Sequence, residues 1–366
     1  MTDLRDQDHA TGLLEVLRLS WPASLAMLST TVIRFVDGWM VSRVGPAPYS
    51  AQFYGWIMAF VPESFMVGLL SVVSTYVSQN FGAGRYRRCG MYAWAAIAVA
   101  MVFSLLVVPL AVMGRSLFDL LGHEEAALEA LYFRYMVVSI PLTLSARVLE
   151  QFFWGIHRPR VVLAAALLAN GFNILADYAL IFGKFGLPRM GLEGAAIRSV
   201  AAWGLQLLIL FAVFMRPALR KAFGTHSFAR FKPRQCIELI KLGWPAGLQL
   251  CNDIFSWTFG IALLAGMFGL AHRAATTAVM RYLQVSIMPA IGIGLATAAI
   301  VGRSVGRKQF DLARHRAHIA MLVAMVYMVA CGALFWVFRR PLIGFFVTLD
   351  VAADETAGLG DRIVDI

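Results

Sequence analysis

Apolar positions along the chain fall into long runs, separated by short clusters of basic or turn-forming residues. Runs long enough to cross a bilayer, each needing about 20 residues, occupy roughly 19–42, 51–79, 91–113, 127–155, 161–183, 193–215, 237–265, 275–302 and 313–337. These stretches predict nine membrane-spanning helices. Residues 1–18 are polar and the first apolar run already has spanning length, so no short cleavable leader is expected ahead of it. Composition agrees: 60% of the 366 residues are hydrophobic and 14% charged, where a soluble domain carries about a quarter charged residues. The predicted class is an all-α integral membrane protein.

The net charge of +11 would suit a nucleic-acid partner if it formed one patch, but it follows the loops. With a cytoplasmic N-terminus, the inside loops hold Arg85, Arg87, Arg88, Arg158 and Arg160, then the cluster from Arg216 to Arg234, then Arg303, Arg307, Lys308, Arg314 and Arg316. The outside loops hold fewer: Arg43, Arg115, Lys184, Arg189, Arg273, Arg339 and Arg340. That is the positive-inside bias of short loops, and no nucleic acid is needed to explain it. Cys89, Cys236, Cys251 and Cys331 form no Cys-x-x-Cys pair, so they read as packing residues. His315 and His318 share a helix face in a basic junction and read as solvated surface, since a metal would need further ligands.

The chain repeats itself. "LRLSWPASLAML" at 17–28 returns as "IKLGWPAGLQLC" at 240–251, with Trp21, Pro22 and Ala23 matching Trp244, Pro245 and Ala246 at an offset of 223. "GAGRY" at 82–86 answers "SVGRK" at 304–308 at an offset of 222. Six spans separate the copies, so the halves share one orientation about an axis along the membrane normal, which is a transporter arrangement. The organisation expected is an N-terminal six-helix lobe (1–215), a cytoplasmic basic linker (216–236) and a C-terminal lobe (237–366) of about three helices: two pseudo-symmetric bundles, the second incomplete.

"LRLSWPASL", "RFVDGWMVSRVG", "QNFGAGRYRR", "NILADYALIFG", "MGLEGAAIRSV" and "LGWPAGLQLCND" occur in this order along the chain. Together they resemble the multidrug and toxic compound extrusion (MATE) transporters, whose members have twelve helices in two six-helix lobes. Against that plan the polar tail "TLDVAADETAGLGDRIVDI" reads as the lead-in to a tenth helix that does not follow, so three helices are expected to be missing. A non-transporting fragment is therefore one reading of the chain.

Polar residues inside the spans carry the candidate chemistry, because a lone acid in hydrocarbon is costly and usually kept for function. Counting about 1.5 Å per residue from the last cytoplasmic charge, Asp37 lies about 28 Å from the inner boundary, Asn173 about 20 Å and Asp177 about 26 Å. Ser199, counted inward from Glu193, lies about 21 Å up. These residues of the first, fifth and sixth spans fall in one outer layer. The resemblance implies the same set: an Asp in helix 1, an Asn and an Asp one turn apart in helix 5 and a Thr in helix 6 form that family's cation-coupling site. The matching positions are Asp37, Asn173, Asp177 and Ser199, with Ser keeping the hydroxyl. Either a proton or a sodium ion, held by Asp37, Asn173 and Asp177, would serve as coupling ion; no other cofactor is expected. Two such acids at similar depth cannot both ionise cheaply, so one of them is expected to hold a proton.

Arg198 and Arg34 fit less simply, because an Arg paired with Asp37 would hold it ionised; for Arg34 the alternative is snorkelling to the outer interface. Asp253, eight residues after Pro245 and about 18 Å above Lys241, is a second candidate acid. Glu63 also sits in apolar surroundings, and Arg147 and Glu150 at i and i+3 can neutralise each other. Tyr54, Trp56, Phe152, Phe153 and Trp257 are candidate cavity aromatics.

The function expected is a proton- or sodium-coupled antiporter exporting amphipathic organic compounds or drugs across a bacterial-type plasma (inner) membrane. Its partners would be a small organic substrate and membrane lipid, and the protein a monomer. The alternative is a lipid-linked oligosaccharide flippase of related fold, expected to line its cavity with Arg and Lys. An enzyme is not expected, since no His lies deep inside a span to serve a nucleophile or metal, His315 and His318 sitting at the basic entrance of the last one.

Overall fold

The computed structural model describes residues 2–120, 122–123, 125–186, 188–226, 231–256 and 270–339, and the side-chain surroundings of residues 12–256 and 282–339 among them. Within these residues the chain forms α-helices and no strand. In chain order they are α1 (Thr2–Ser42), α2 (Pro46–Leu70), α3 (Val72–Gly82), α4 (Tyr86–Val107), α5 (Leu110–Leu120), α6 (Ala126–Gly155), α7 (Pro159–Phe182), α8 (Gly191–Phe214), α9 (Pro217–Phe223), α10 (Pro233–Phe255), α11 (Leu270–Gly306) and α12 (Phe310–Val337). Pro46, Pro159, Pro217 and Pro233 open their helices, where a missing N–H costs nothing. Gly183 (φ 68°) and Gly224 (φ 66°) close α7 and α9 in the left-handed region.

Most predicted spans return as helices with shifted ends. The first helix starts at Thr2, ahead of the apolar run, and crosses as Gly12–Ser42. The second crosses as Pro46–Gly82, built from α2 and α3 on either side of Ser71. The third span, expected to run to 113, ends at Val107. Pro109 has no N–H to donate to the preceding turn, and α5 restarts as a separate helix against α6. Among the described residues eight segments are long and apolar enough to cross a membrane, and α10 is not one of them. Arg234, Glu238, Lys241 and Asp253 keep its described part polar, while the rest of that predicted span (257–265), Trp257 and the tail from Thr348 lie outside the described residues.

α6 is the pillar of the core. Ile140, Leu144, Leu149, Phe152 and Phe153 on it are completely buried, packed among α2, α3, α4 and α8. Phe152 and Phe153 therefore serve packing and not the cavity, a correction to their reading as cavity aromatics. Phe152 meets Phe214 edge-on at 5.0 Å and Phe223 at 5.7 Å. Leu105, Leu106 and Val112 stay more than 70% exposed on the periphery, where lipid tails would meet them.

Helices carrying the repeat cross reciprocally: α1, with Trp21-Pro22-Ala23, packs along α11, and α10, with Trp244-Pro245-Ala246, packs along α2. The α2–α10 approach is close enough to require glycine. A Cβ at Gly247 would come within 2.6 Å of the Phe65 carbonyl oxygen, and one at Gly68 within 2.5 Å of that of Ala246. Small residues at such crossings are how membrane helices gain packing when lipid removes the hydrophobic drive. At the α1–α11 crossing the Ser24 hydroxyl donates to the Pro289 carbonyl at 2.8 Å.

Candidate functional site

Helices α1, α7 and α8 bring charge to one point. Asp37 comes from the penultimate turn of α1, Asn173 and Asp177 from one face of α7, and Arg198 and Ser199 from α8. The close fit of α8 on α7 depends on Gly194, where a Cβ would lie 2.9 Å from the Leu180 carbonyl oxygen. Arg198 Nη1 donates to Asp37 Oδ2 at 2.8 Å, and its Nε lies 2.7 Å from Asp177 Oδ1. Arg198 and Asp177 are fully buried, Asn173 and Ser199 nearly so, and Asp37 keeps partial exposure. The Ser199 hydroxyl donates to the Ala195 carbonyl at 2.9 Å and lies 3.5 Å from the Tyr132 hydroxyl.

Arg198 changes the electrostatics expected of two neighbouring acids. A guanidinium within ion-pair reach of both offsets part of their repulsion; with both acids ionised the cluster would carry one surplus negative charge, and a proton on either acid would cancel it. Each acid places one oxygen within ion-pair distance of Arg198. Asp37 Oδ1, both Asp177 carboxylate oxygens and Asn173 Oδ1 are buried with no hydrogen-bond partner, as are Arg198 Nε and Nη2, so the Arg198–Asp177 contact is an ion pair without hydrogen-bond alignment. Buried acceptors are normally satisfied, so these four orphaned oxygens are suited to receive one positive charge. That donor set fits a proton, and in its oxygen chemistry also a small monovalent ion.

Beside this cluster a cavity of about 570 Å³ opens, within the size range of drug-sized ligand sites. Asp37, Asn173, Arg198 and Ser199 line it, while Asp177 lies behind Arg198. Sequence reasoning left a second charged group outside the site, and the structure places it in the same wall: Arg34, Glu63, Arg147 and Glu150. The expected Arg147–Glu150 pair is present at 3.1 Å, Gln206 Nε2 donates to the other Glu150 oxygen at 2.7 Å, and the Thr143 hydroxyl donates to Glu63 at 2.6 Å. The signal was Pro62-Glu63 and the i, i+3 pair in otherwise apolar helices. Arg34 neither snorkels outward nor pairs with Asp37. Its guanidinium lines the cavity 4.5 Å from the Trp56 ring centroid.

Asp253 is exposed near the end of α10 and lies apart from the residues lining this cavity. Among the expected aromatics Tyr54 and Trp56 line it. All four cysteines are free, and among the described residues no His, Cys, Asp and Glu group has the makings of a metal centre.

A family model described as MatE matches residues 22–179 and 245–359. The probable multidrug resistance protein NorM of Synechocystis sp. is 25% identical over 363 residues, 96% of this chain and 77% of that protein. Its namesake from Pseudomonas aeruginosa is 27% identical over 365 residues, 96% of this chain and 72% of that protein. Among solved structures, an outward-facing multidrug resistance MATE family transporter of the MOP superfamily superposes with a TM-score of 0.82 at 19% identity, covering 97% of this chain and 77% of that one. A MOP superfamily transporter from Pyrococcus furiosus superposes with a TM-score of 0.83 at 19% identity, covering 96% and 77%.

Proposed function

The chain belongs to the MatE family of multidrug efflux transporters, and from that premise we propose that it exports amphipathic organic compounds in exchange for protons, with Asp37, Arg198 and Asp177 as the coupling cluster. The observation that carries this reading is the pair of carboxylates clamped on one buried guanidinium beside a drug-sized cavity. With both acids ionised the cluster carries one surplus negative charge, which one proton neutralises. A proton also turns an orphaned carboxylate oxygen into a donor for the other orphaned acceptors, whereas a sodium ion would have to sit beside a guanidinium already occupying the site. Asn173 and Ser199 act as neutral oxygens that steady the proton-bound form.

The Asp37–Arg198 bond ties α1 to α8. Protonation of Asp37 weakens that tie, and α1 forms one wall of the cavity through Ala26, Met27, Thr30, Arg34 and Asp37. Release of α1 narrows the compartment and expels substrate to the outside, and loss of the proton to the cytoplasm restores the clamp. The protein works as a monomer in a bacterial-type inner membrane, with its N-terminus and the Arg216–Arg234 segment cytoplasmic.

The test is export from energised vesicles by Asp37→Asn and Asp177→Asn, which keep side-chain size and remove only the charge. Both variants are expected to insert normally and to lose gradient-driven export. Wild-type export by both at every pH would place the coupling elsewhere, with Asp253 the next acid to test.

A further inference from the structure

Among the described residues, one full charge facing the cavity lacks a polar partner. Arg147 is spent on Glu150, Glu150 also accepts from Gln206, Glu63 accepts the Thr143 hydroxyl, and Arg198 holds Asp37 and Asp177. Arg34 is different. Among the described residues it has no carboxylate within 4.0 Å and no hydrogen bond, and Asp37, one turn along α1, is committed to Arg198. Its guanidinium lies over Trp56, whose ring stacks on Phe60 at 5.2 Å and 17°. An unpaired cation at membrane depth is expensive and is kept for function.

We propose that Arg34 on its Trp56 shelf is a subsite for the anionic head of an aromatic amphiphile, a carboxylate or sulfonate whose ring lies along Trp56 and Phe60. The proposal rests on the cavity being the substrate compartment. A guanidinium offers two parallel N–H donors that match a planar carboxylate, and Trp56 holds its plane by a cation–π contact. An organic cation of the same size would compete with the coupling proton for the open oxygens of the Asp37 cluster, whereas an anion meets at Arg34 a guanidinium with its donors open. The lining carries three arginines (Arg34, Arg147, Arg198) against three acids (Asp37, Glu63, Glu150), and Asp177 behind Arg198 brings the acids to four, so an anionic head is held by the Arg34 guanidinium itself and not by the net charge of the cavity.

The test is equilibrium binding to the protein in lipid nanodiscs, with no ion gradient, using 2-naphthoate and 2-naphthylmethylammonium as ring-matched probes of opposite charge. The expected result is naphthoate bound roughly tenfold more tightly than the ammonium, with the preference lost in Arg34→Gln. Trp56→Leu, which keeps the charge, is expected to weaken naphthoate severalfold. Should Arg34→Gln fail to fold, judged by its melting temperature, Arg34→Lys carries the test: it keeps the charge, loses the fork and is expected to bind naphthoate more weakly. Equal binding of the two probes, or naphthoate affinity unchanged in the Arg34 and Trp56 variants, overturns the subsite. Saturable binding of the ammonium alone overturns the subsite and leaves the export reading standing, while binding of neither counts against both.

Discussion

Asp177 is sealed behind Arg198 while Asp37, on the other side of the same guanidinium, still touches the cavity. On the proposed function that asymmetry makes Asp37 the acid that meets protons arriving through the cavity, with Asp177 the buried partner behind Arg198. It also makes Arg198 the residue with most to lose. Removing one partner of a buried ionic group strands the others, at a cost of about 3–5 kcal/mol, and Arg198→Gln strands two acids at once. Thermal unfolding in lipid is expected to show a larger loss for Arg198→Gln than for Asp37→Asn, which leaves Arg198 with Asp177; equal losses would mean that the guanidinium does not clamp both. Asp37, Asn173, Asp177 and Ser199 were legible in the sequence because a polar residue in an apolar span is expensive, and counting residues along helices fixes depth. Arg198's partners were not legible, since they depend on how α8 is rotated against α1 and α7. Arg34 was misjudged for the same reason: one turn from Asp37 in sequence, it faces Trp56 in space.

At the scale of elements, the apolar runs marked most helices but not their joints. Pro109 ends α4 early, and Ser71 divides one span into two helices, which hydropathy averaged over 20 residues does not register. The crossings between helices rest on small residues, so they are sensitive to size. Gly247→Leu would drive a side chain into the α2 backbone at Phe65, and the expected loss is about 1–3 kcal/mol or more, read as a lower melting temperature with the α7–α8 site chemistry unchanged. The turn between α6 and α7 makes another prediction. His157 there adopts φ 60°, stacks on Phe81 at 5.7 Å, and has its pKa lowered to about 4 by burial and by Arg303 and Arg307. A histidine whose folded pKa lies below the usual 6.5 stabilises the fold fully above pH 6.5, and that contribution is lost as pH falls through 6.5 towards about 4. His157→Asn, which tolerates positive φ, is expected to flatten the melting-temperature profile over this window; a variant profile parallel to that of the wild type would contradict the assignment.

For the whole molecule, the reciprocal packing of α1 on α11 and α10 on α2 follows the sequence repeat. Six spans lie between the repeat copies, so the start of α1 and the segment around α9 belong on one side of the membrane. The positive-inside bias of the basic loops is the ground for proposing that this side is cytoplasmic. A cysteine introduced at the exposed Lys221 of an otherwise cysteine-free protein is expected to react with a membrane-impermeant reagent only after the cells are opened; reaction in intact cells would invert the topology. The repeat and the loop charges were readable from sequence, whereas the cavity was not, because it is enclosed by side chains from α1, α2, α6, α7 and α8 that only the fold brings together. The central claim, that the Asp37–Arg198–Asp177 cluster exchanges a proton for substrate, is met most directly by recording lumenal pH in sodium-free vesicles as substrate is added. The account predicts a substrate-dependent proton flux in the wild type that is absent in Asp177→Asn. Substrate movement with no change in lumenal pH, or an undiminished proton flux in Asp177→Asn, would contradict it.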